Sequence, residues 1–301
     1  MVGRISTFVL TNRLNSENLR VQTDLARTQM QISTGKKGSS YEEIGRDTLR
    51  LLNIQNDLSR INTQNIVSSN VSSRIEQMYS SINNMKDLAN QVASTLAQSQ
   101  SGALSVPQEV ANVTSNAEQA LASLLNINFG GRYLFAGDRL DTPPVDLADP
   151  GYTTQPVPSV ANTSYYQGDA GIASAEISDG FTVNYGVRAD NQAFEKFFRA
   201  LNLAANNSAD PAARGEALDL VRSSIDDMAA IQTDLSAKAN LIDTQRVSNE
   251  EDATLFKSVI ANITETDLAE ASVNLTNYQS QLEASYATLT RITRLKLANY
   301  L

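Results

Sequence analysis

The sequence predicts a mainly α protein, an elongated antiparallel helical bundle or coiled coil built from both termini, with a small β-rich insert in the middle. Two observations carry that prediction. Long stretches on both flanks repeat apolar residues at alternating intervals of three and four, the spacing of a seam that faces a partner helix. Turn formers collect between those stretches: five of the seven prolines lie from Pro143 to Pro158, and eight of the 14 glycines from Gly130 to Gly186.

The amino-terminal stretch carries a weak stripe of Leu14, Asn18, Val21, Leu25, Thr28 and Ile32. Ser33-Thr34-Gly35-Lys36-Lys37-Gly38 lacks the first glycine and the final hydroxyl of a phosphate loop, so it reads as a turn in which Gly35 ends the first helix. A stronger stripe follows in Ile75, Met78, Ile82, Met85, Ala89, Val92 and Leu96. Ser105-Val106-Pro107-Gln108 has the pattern of a capping box, and Val110, Val113, Ala117, Ala120, Leu124 and Ile127 continue the alternation.

In the insert, Tyr133, Tyr152, Tyr165, Tyr166 and Tyr185 accompany Val and Thr, a composition that favours strands. Ala175–Ser178 and Phe181–Asn184 read as two strands joined by Asp179-Gly180, with positive φ expected at both turn residues. Segment 150–175 contributes no seam residue, so its removal is expected to spare export.

Helix signals resume at Asp210-Pro211, an N-cap followed by proline at the first helical position. Leu218, Val221, Ile225, Met228, Gln232, Leu235, Ala239 and Ile242 form the next stripe. The last is Leu268, Ala271, Leu275, Tyr278, Leu282, Ser285, Leu289 and Ile292, with leucine at every seventh residue. A single helix from Ser248 to the end would be roughly 80 Å long. A compact chain of this size is only about 50 Å across, so a rod is expected. The expected organisation is 1–40 with 265–301 as paired terminal helices, 41–128 with 190–264 as the helical bundle, and 129–189 as the outer insert.

Composition narrows function. The 301 residues carry 24 Lys+Arg against 33 Asp+Glu, a net charge of -9, and include no His, Cys or Trp. Zinc sites of thiolate or imidazole, disulfides, cysteine nucleophiles and Ser-His-Asp triads are thereby excluded. Leucine at every seventh residue also occurs in DNA-binding zippers, but these need a basic helix ahead of the seam. Here Ser248-Asn249-Glu250-Glu251-Asp252-Ala253 is acidic. No apolar run approaches the roughly 18 residues of a membrane span. The apolar patch Phe8-Val9-Leu10 is too short for a cleaved secretory signal. Asp138, Asp141, Asp146 and Asp149 lack the spacing of a calcium loop and read as a solvated acidic loop, and Glu42-Glu43 and Asp226-Asp227 read as exposed helix faces. No nucleic acid, membrane, cofactor or metal is expected, and no catalytic residue can be nominated.

The two ends carry the positive prediction. A lone pair of terminal helices buries little against the entropy of ordering them. Burial against neighbouring copies would tip that balance. Leu14, Val21, Leu25, Ile32, Leu268, Leu275, Leu282, Leu289 and Ile292 are therefore the candidate assembly residues, mobile in a monomer and ordered in an assembly of copies of the chain.

Helical termini that pair around an inserted β domain resemble the bacterial flagellin family, and in particular its hook-associated junction members. Arg4-Ile5-Ser6-Thr7 with Ile32-Ser33-Thr34-Gly35-Lys36 is similar to the family's amino end. Gly131-Arg132-Tyr133-Leu134-Phe135-Ala136-Gly137 with Asp141-Thr142-Pro143-Pro144-Val145 resembles the approach to the junction members' middle domain. Thr266-Asp267-Leu268-Ala269-Glu270-Ala271 with Gln281-Leu282-Glu283-Ala284-Ser285-Tyr286 resembles the carboxyl end. The departure is Gly38-Ser39-Ser40-Tyr41-Glu42-Glu43-Ile44-Gly45, where the family commonly has an Asp-rich turn. The resemblance implies a structural, non-enzymatic subunit between hook and filament, and a filament-forming flagellin is the alternative. It also implies export through the flagellar type III channel on an uncleaved signal, with a chaperone on the carboxyl end. The implied neighbours are the preceding junction protein and flagellin.

Overall fold

The computed structural model describes residues 2–101, 107–139 and 141–298, with side chains from 9 to 291 apart from 11. The Ser105-Val106 half of the expected capping box, the Arg4–Thr7 side chains and the Ile292 side chain lie outside the described residues. The helices are α1 Val2–Thr34, α2 Tyr41–Ile44, α3 Thr48–Gln100, α4 Pro107–Leu125, α5 Gln192–Asn206, α6 Pro211–Thr264 and α7 Leu268–Ala298, with a 3-10 turn at Gly45–Asp47. Two antiparallel pairs, β1 Asn128–Phe129 with β2 Arg132–Tyr133 and β3 Ser174–Ser178 with β4 Phe181–Asn184, make up the strands. The chain is therefore mainly α with a small β insert. It divides into two compact units, Met1–Ser59 with Ala253–Leu301, and Arg60–Asp252.

In the unit from Arg60 to Asp252, the α3 stripe from Ile75 to Leu96 is buried at every expected position. Its partner on α6 buries Leu218, Val221, Met228, Leu235 and Ile242. Gln232, the polar interruption of that stripe, is satisfied by the facing helix: Lys86 Nζ donates to its Oε1 at 2.9 Å, and its Nε2 donates to the Tyr79 carbonyl at 3.4 Å. Such a node is unpaired in any shifted register, so it pins α3 against α6. Asp227 is more engaged than an open helix face would require, receiving the Lys196 ammonium at 2.6 Å.

The α4 stripe differs from expectation. The buried positions are Val110, Thr114, Ala117, Leu121, Ala122 and Leu125, while Val113, Ala120 and Leu124 are half-buried. Thr114 reaches the core because its hydroxyl donates back to the Val110 carbonyl at 2.8 Å, leaving only its methyl to be packed.

The insert packs on α5 through aromatic rings. Tyr165 and Phe198 lie 4.4 Å apart between centroids, Tyr152 meets Tyr165 edge-on at 5.6 Å, and Phe135 meets Phe194 edge-on at 5.8 Å. Ala189 N–H donates to the Phe135 carbonyl at 2.9 Å, so the insert leaves the helical core beside the point where it entered. Segment 150–175, which carries no helix-seam residue, nonetheless contributes to this core. It supplies Tyr165 and Gln155 to the interior, and Gln155 N–H donates to Asn202 Oδ1 at 2.9 Å. The absence of a helical period hid this contribution.

The hairpin turns also redistribute. Gly180 has φ +69° but Asp179 does not have positive φ, and the β3–β4 register shifts between Glu176 and Ser178. A bulge therefore replaces the expected mirror-image turn. The turn with positive φ at both central residues is Gly130-Gly131, at +61° and +79°, between β1 and β2. The Asp179 carboxylate instead takes Gln64 Nε2 at 2.8 Å and the Arg60 guanidinium at 3.1 Å, which tie the hairpin to α3.

Truncating Phe198, which is fully buried, to Ala should cost about 3–5 kcal/mol. Urea unfolding followed by far-ultraviolet circular dichroism checks this, and a loss below about 1 kcal/mol would contradict the packing described. A second expectation concerns Asp169, whose carboxylate accepts N–H bonds from Asp138 at 2.8 Å and Gly171 at 3.0 Å. These bonds, the Asp138 one foremost, hold its pKa below the ordinary value. Its contribution to stability is therefore complete above the ordinary carboxylate range and fades as pH falls through the lower folded value. Asp169→Asn should flatten that part of the acid-unfolding curve, and an unchanged acid limb would count against it.

Candidate assembly surface

The terminal unit is built around a backbone crossing. Gly35 takes φ +69° and ends α1, its N–H closing on the Gln31 carbonyl at 2.8 Å. Immediately beyond, Lys37 N–H donates to the Thr264 carbonyl at 2.7 Å and Thr266 N–H to the Gly35 carbonyl at 2.9 Å, with Lys36 and Glu265 opposed as an antiparallel bridge. This crossing divides the single helix expected from Ser248 onward into α6 and α7. The Asp267 carboxylate then caps α7 by accepting from Ala269 N–H at 2.8 Å and Glu270 N–H at 3.2 Å. Asp267-Leu268-Ala269-Glu270 has the spacing of a capping box, a signal in the sequence that the leucine repeat masked.

From that crossing α1 and α7 pack antiparallel, and Gln22 Nε2 donates to the Tyr286 hydroxyl at 2.5 Å. The structure brings most of the candidate residues together, to different depths. Val21 and Leu282 are buried, joined by Asn18, Thr28 and Ala271. Leu14, Leu25, Ile32, Leu275 and Leu289 are half-buried. Leu268, in the first turn of α7, is 51% exposed and is not part of the closed seam. Thr28 tolerates burial because its hydroxyl donates to the Asp24 carbonyl at 2.8 Å. The Gln22–Tyr286 pair escaped the sequence reading because neither residue fits an apolar period.

The burial of this unit is sparse. Among the described residues of Met1–Ser59 and Ala253–Leu301, the buried apolar side chains are Val21, Leu51, Ala253, Ala271 and Leu282. Val9, Leu10, Leu19 and Met30 on α1, and Leu268, Val273 and Tyr286 on α7, are exposed. Leu19 and Met30 are eleven residues apart, three helical turns, and so share a face, whereas the buried Val21 and Thr28 lie on the opposite side of α1. Each such side chain would contribute about 1.5–3 kcal/mol on full burial.

Two clefts flank the crossing. One of about 650 Å³ is polar, lined by Gln31, Lys37, Asn262, Glu265, Asp267 and Glu270 among others, and Lys37 Nζ is already engaged by the Asn262 carbonyl at 2.6 Å. The other, of about 760 Å³, includes Lys36, Tyr41, Ile44, Leu51 and Ile260. Beside it the Gly38–Gly45 segment forms a self-contained turn in which the Glu43 carboxylate accepts from the Ser39 and Ser40 N–H groups. The Ser39 bond is the main cause of a Glu43 pKa below the ordinary carboxylate value. Among the described residues no group of three or more Asp or Glu is placed to hold a metal ion, and no described helix is long and apolar enough to cross a membrane.

The strongly perturbed titratable groups lie in the other unit and serve packing. Burial raises the Glu118 carboxyl, which accepts the Tyr152 hydroxyl at 2.6 Å. Burial also raises the Tyr152 and Tyr165 phenols, and pushes Tyr166 up to about 12. Glu118, Tyr152 and Tyr165 sit where the insert meets α4 and α5, whereas Tyr166 donates its hydroxyl to the Asp169 carbonyl at 2.8 Å within the insert. Of the acidic loop, Asp146 and Asp149 cap local turns through Ala148 N–H and Gly151 N–H.

No protein-family model matches the sequence, and no curated protein matches it. Solved structures do match in fold. One is a Vibrio parahaemolyticus protein assigned as a flagellar hook-associated protein, with a TM-score of 0.59 at 13% identity, covering 72% of this chain and 97% of that one. Another is FlgL of Bacillus cereus, with a TM-score of 0.51 at 14% identity, covering 70% of this chain and 98% of that one. The chain therefore shares the fold of these two proteins over nearly their whole lengths.

Proposed function

We propose that this chain is a structural subunit of the bacterial flagellum, forming the junction layer between hook and filament by packing its terminal helices with those of neighbouring copies. The observation that carries the proposal is the state of α1 and α7. They are held in register by the crossing at Gly35–Lys37 and Thr264–Thr266, yet they leave Leu19, Met30, Leu268 and Val273 facing outward. An apolar surface beyond the closed seam fits contact with further protein. The fold shared with hook-associated structures supports the same reading.

In this proposal 1–40 and 265–301 are the assembling helices, 41–128 and 190–264 the bundle that carries them, and 129–189 an insert outside the packing. The partners are copies of the chain, the preceding junction protein and flagellin, with an export chaperone on the carboxyl end. The protein would reach the cell exterior through the type III channel without a cleaved signal, and a chain without Cys has no disulfide to undo during unfolded passage.

Leu282→Asp should loosen the α1–α7 pair by about 2–4 kcal/mol, because it places a charge in a closed seam. Faster hydrogen exchange across α7 of the isolated chain reads this out. Leu19→Asp should leave the isolated chain unchanged within about 0.5 kcal/mol yet abolish incorporation into flagella, scored by swimming. Normal swimming of both variants would refute the assignment. Labelled protein should sit between hook and filament, and label along the filament would instead make it a flagellin.

A further inference from the structure

The methionines of this chain are unevenly protected. Met78, Met85 and Met228 are sealed in the helix seams of the Arg60–Asp252 unit, at most 1% exposed. Met30 is 54% exposed, on the outward face of α1 that also presents Leu19, itself 64% exposed. Met1 lies outside the described residues. The chain has no cysteine, so thioether sulfur is its most readily oxidised side-chain group.

We propose that Met30 is a reversible oxidation site whose sulfoxide blocks packing between copies. This rests on the proposed role of the α1 outward face in assembly. The reaction is a two-electron transfer from sulfur to a hydroperoxide. A sulfur lone pair attacks the terminal hydroxyl oxygen of the peroxide, the S–O bond forms as the O–O bond breaks, and the proton of the attacked oxygen passes to the departing oxygen, which leaves as water or alcohol. The thioether is oxidised to the sulfoxide and the peroxide is reduced. A dithiol reductant reverses it, taking the oxygen away as water and becoming a disulfide.

The consequence follows from where the new oxygen would lie. In the isolated chain it points to water and is solvated, so the fold is unaffected. Against the apolar face of a neighbouring copy it becomes a strong acceptor without a donor, which is costly. Packed copies would cover Met30, so modification acts on the chain before assembly and spares what is already assembled.

Purified full-length chain, kept dilute, is treated with millimolar hydrogen peroxide and mapped by peptide mass. Met30 should gain one oxygen at least about tenfold faster than Met78, Met85 or Met228. In sedimentation, the oxidised chain should need about tenfold higher concentration to associate than untreated chain. Met30→Leu treated with peroxide should associate like untreated protein, and Met30→Gln without peroxide should behave like the oxidised chain. The proposal is overturned if Met30 oxidises no faster than the sealed methionines, or if oxidised protein and treated Met30→Leu associate alike. Untreated chain that stays monomeric at every concentration overturns the assembly role beneath it, and the mass map still decides independently whether Met30 is the accessible sulfur.

Discussion

The terminal unit depends on two backbone hydrogen bonds, from Lys37 N–H to the Thr264 carbonyl and from Thr266 N–H to the Gly35 carbonyl. Helical backbone satisfies itself, so two long helices could otherwise slide past one another by a turn with little change in their own bonding. A short antiparallel crossing admits one register, and everything distal to it inherits that register. Val21 and Leu282 close because Gly35 and Thr266 are already opposed. The glycine matters for the same reason: only a residue at ease with φ of +69° can end α1 and present its carbonyl to the returning strand.

Burial is distributed unevenly between the two units. The Arg60–Asp252 unit contains the fully buried rings of Phe135, Tyr165, Phe194, Phe197 and Phe198, and a polar node at Gln232 that fixes helix register. It holds itself together. The terminal unit has geometry without comparable mass: its one fully buried large side chain among the described residues is Leu51. A helix pair that is aligned but thinly sealed suits a part completed by its surroundings, whereas a densely sealed one has no need of them.

Much of this was legible in the sequence. The α3 stripe, the α6 stripe apart from the half-buried Ile225 and Ala239, the Gly35 terminus and the Asp210-Pro211 start appear as read, because each rests on local rules of helix period and capping. What escaped was not carried by the apolar period. The break between α6 and α7 carries no glycine or proline, and its cause lies more than two hundred residues away at Gly35–Lys37. Thr114 displaced Val113 from the α4 core because its hydroxyl finds a partner on its own helix. The candidate leucines recur along α7 at heptad spacing, but the heptad says nothing of depth. Leu282 meets α1 squarely, whereas Leu268, in the helix's opening turn, stands clear of the closed seam.

The bond between Ala189 N–H and the Phe135 carbonyl has a consequence for where the chain can be lengthened. It makes a neck: the chain departs and returns at one spot, while the aromatic plug behind it and ties such as Asp179 with Arg60 and Gln64 fasten the insert to the helices. Extra residues added at the rim of the excursion, beyond the plug, would lengthen a loop whose ends are already joined, at little entropic penalty. Length added at that rim therefore need not disturb the helices beneath.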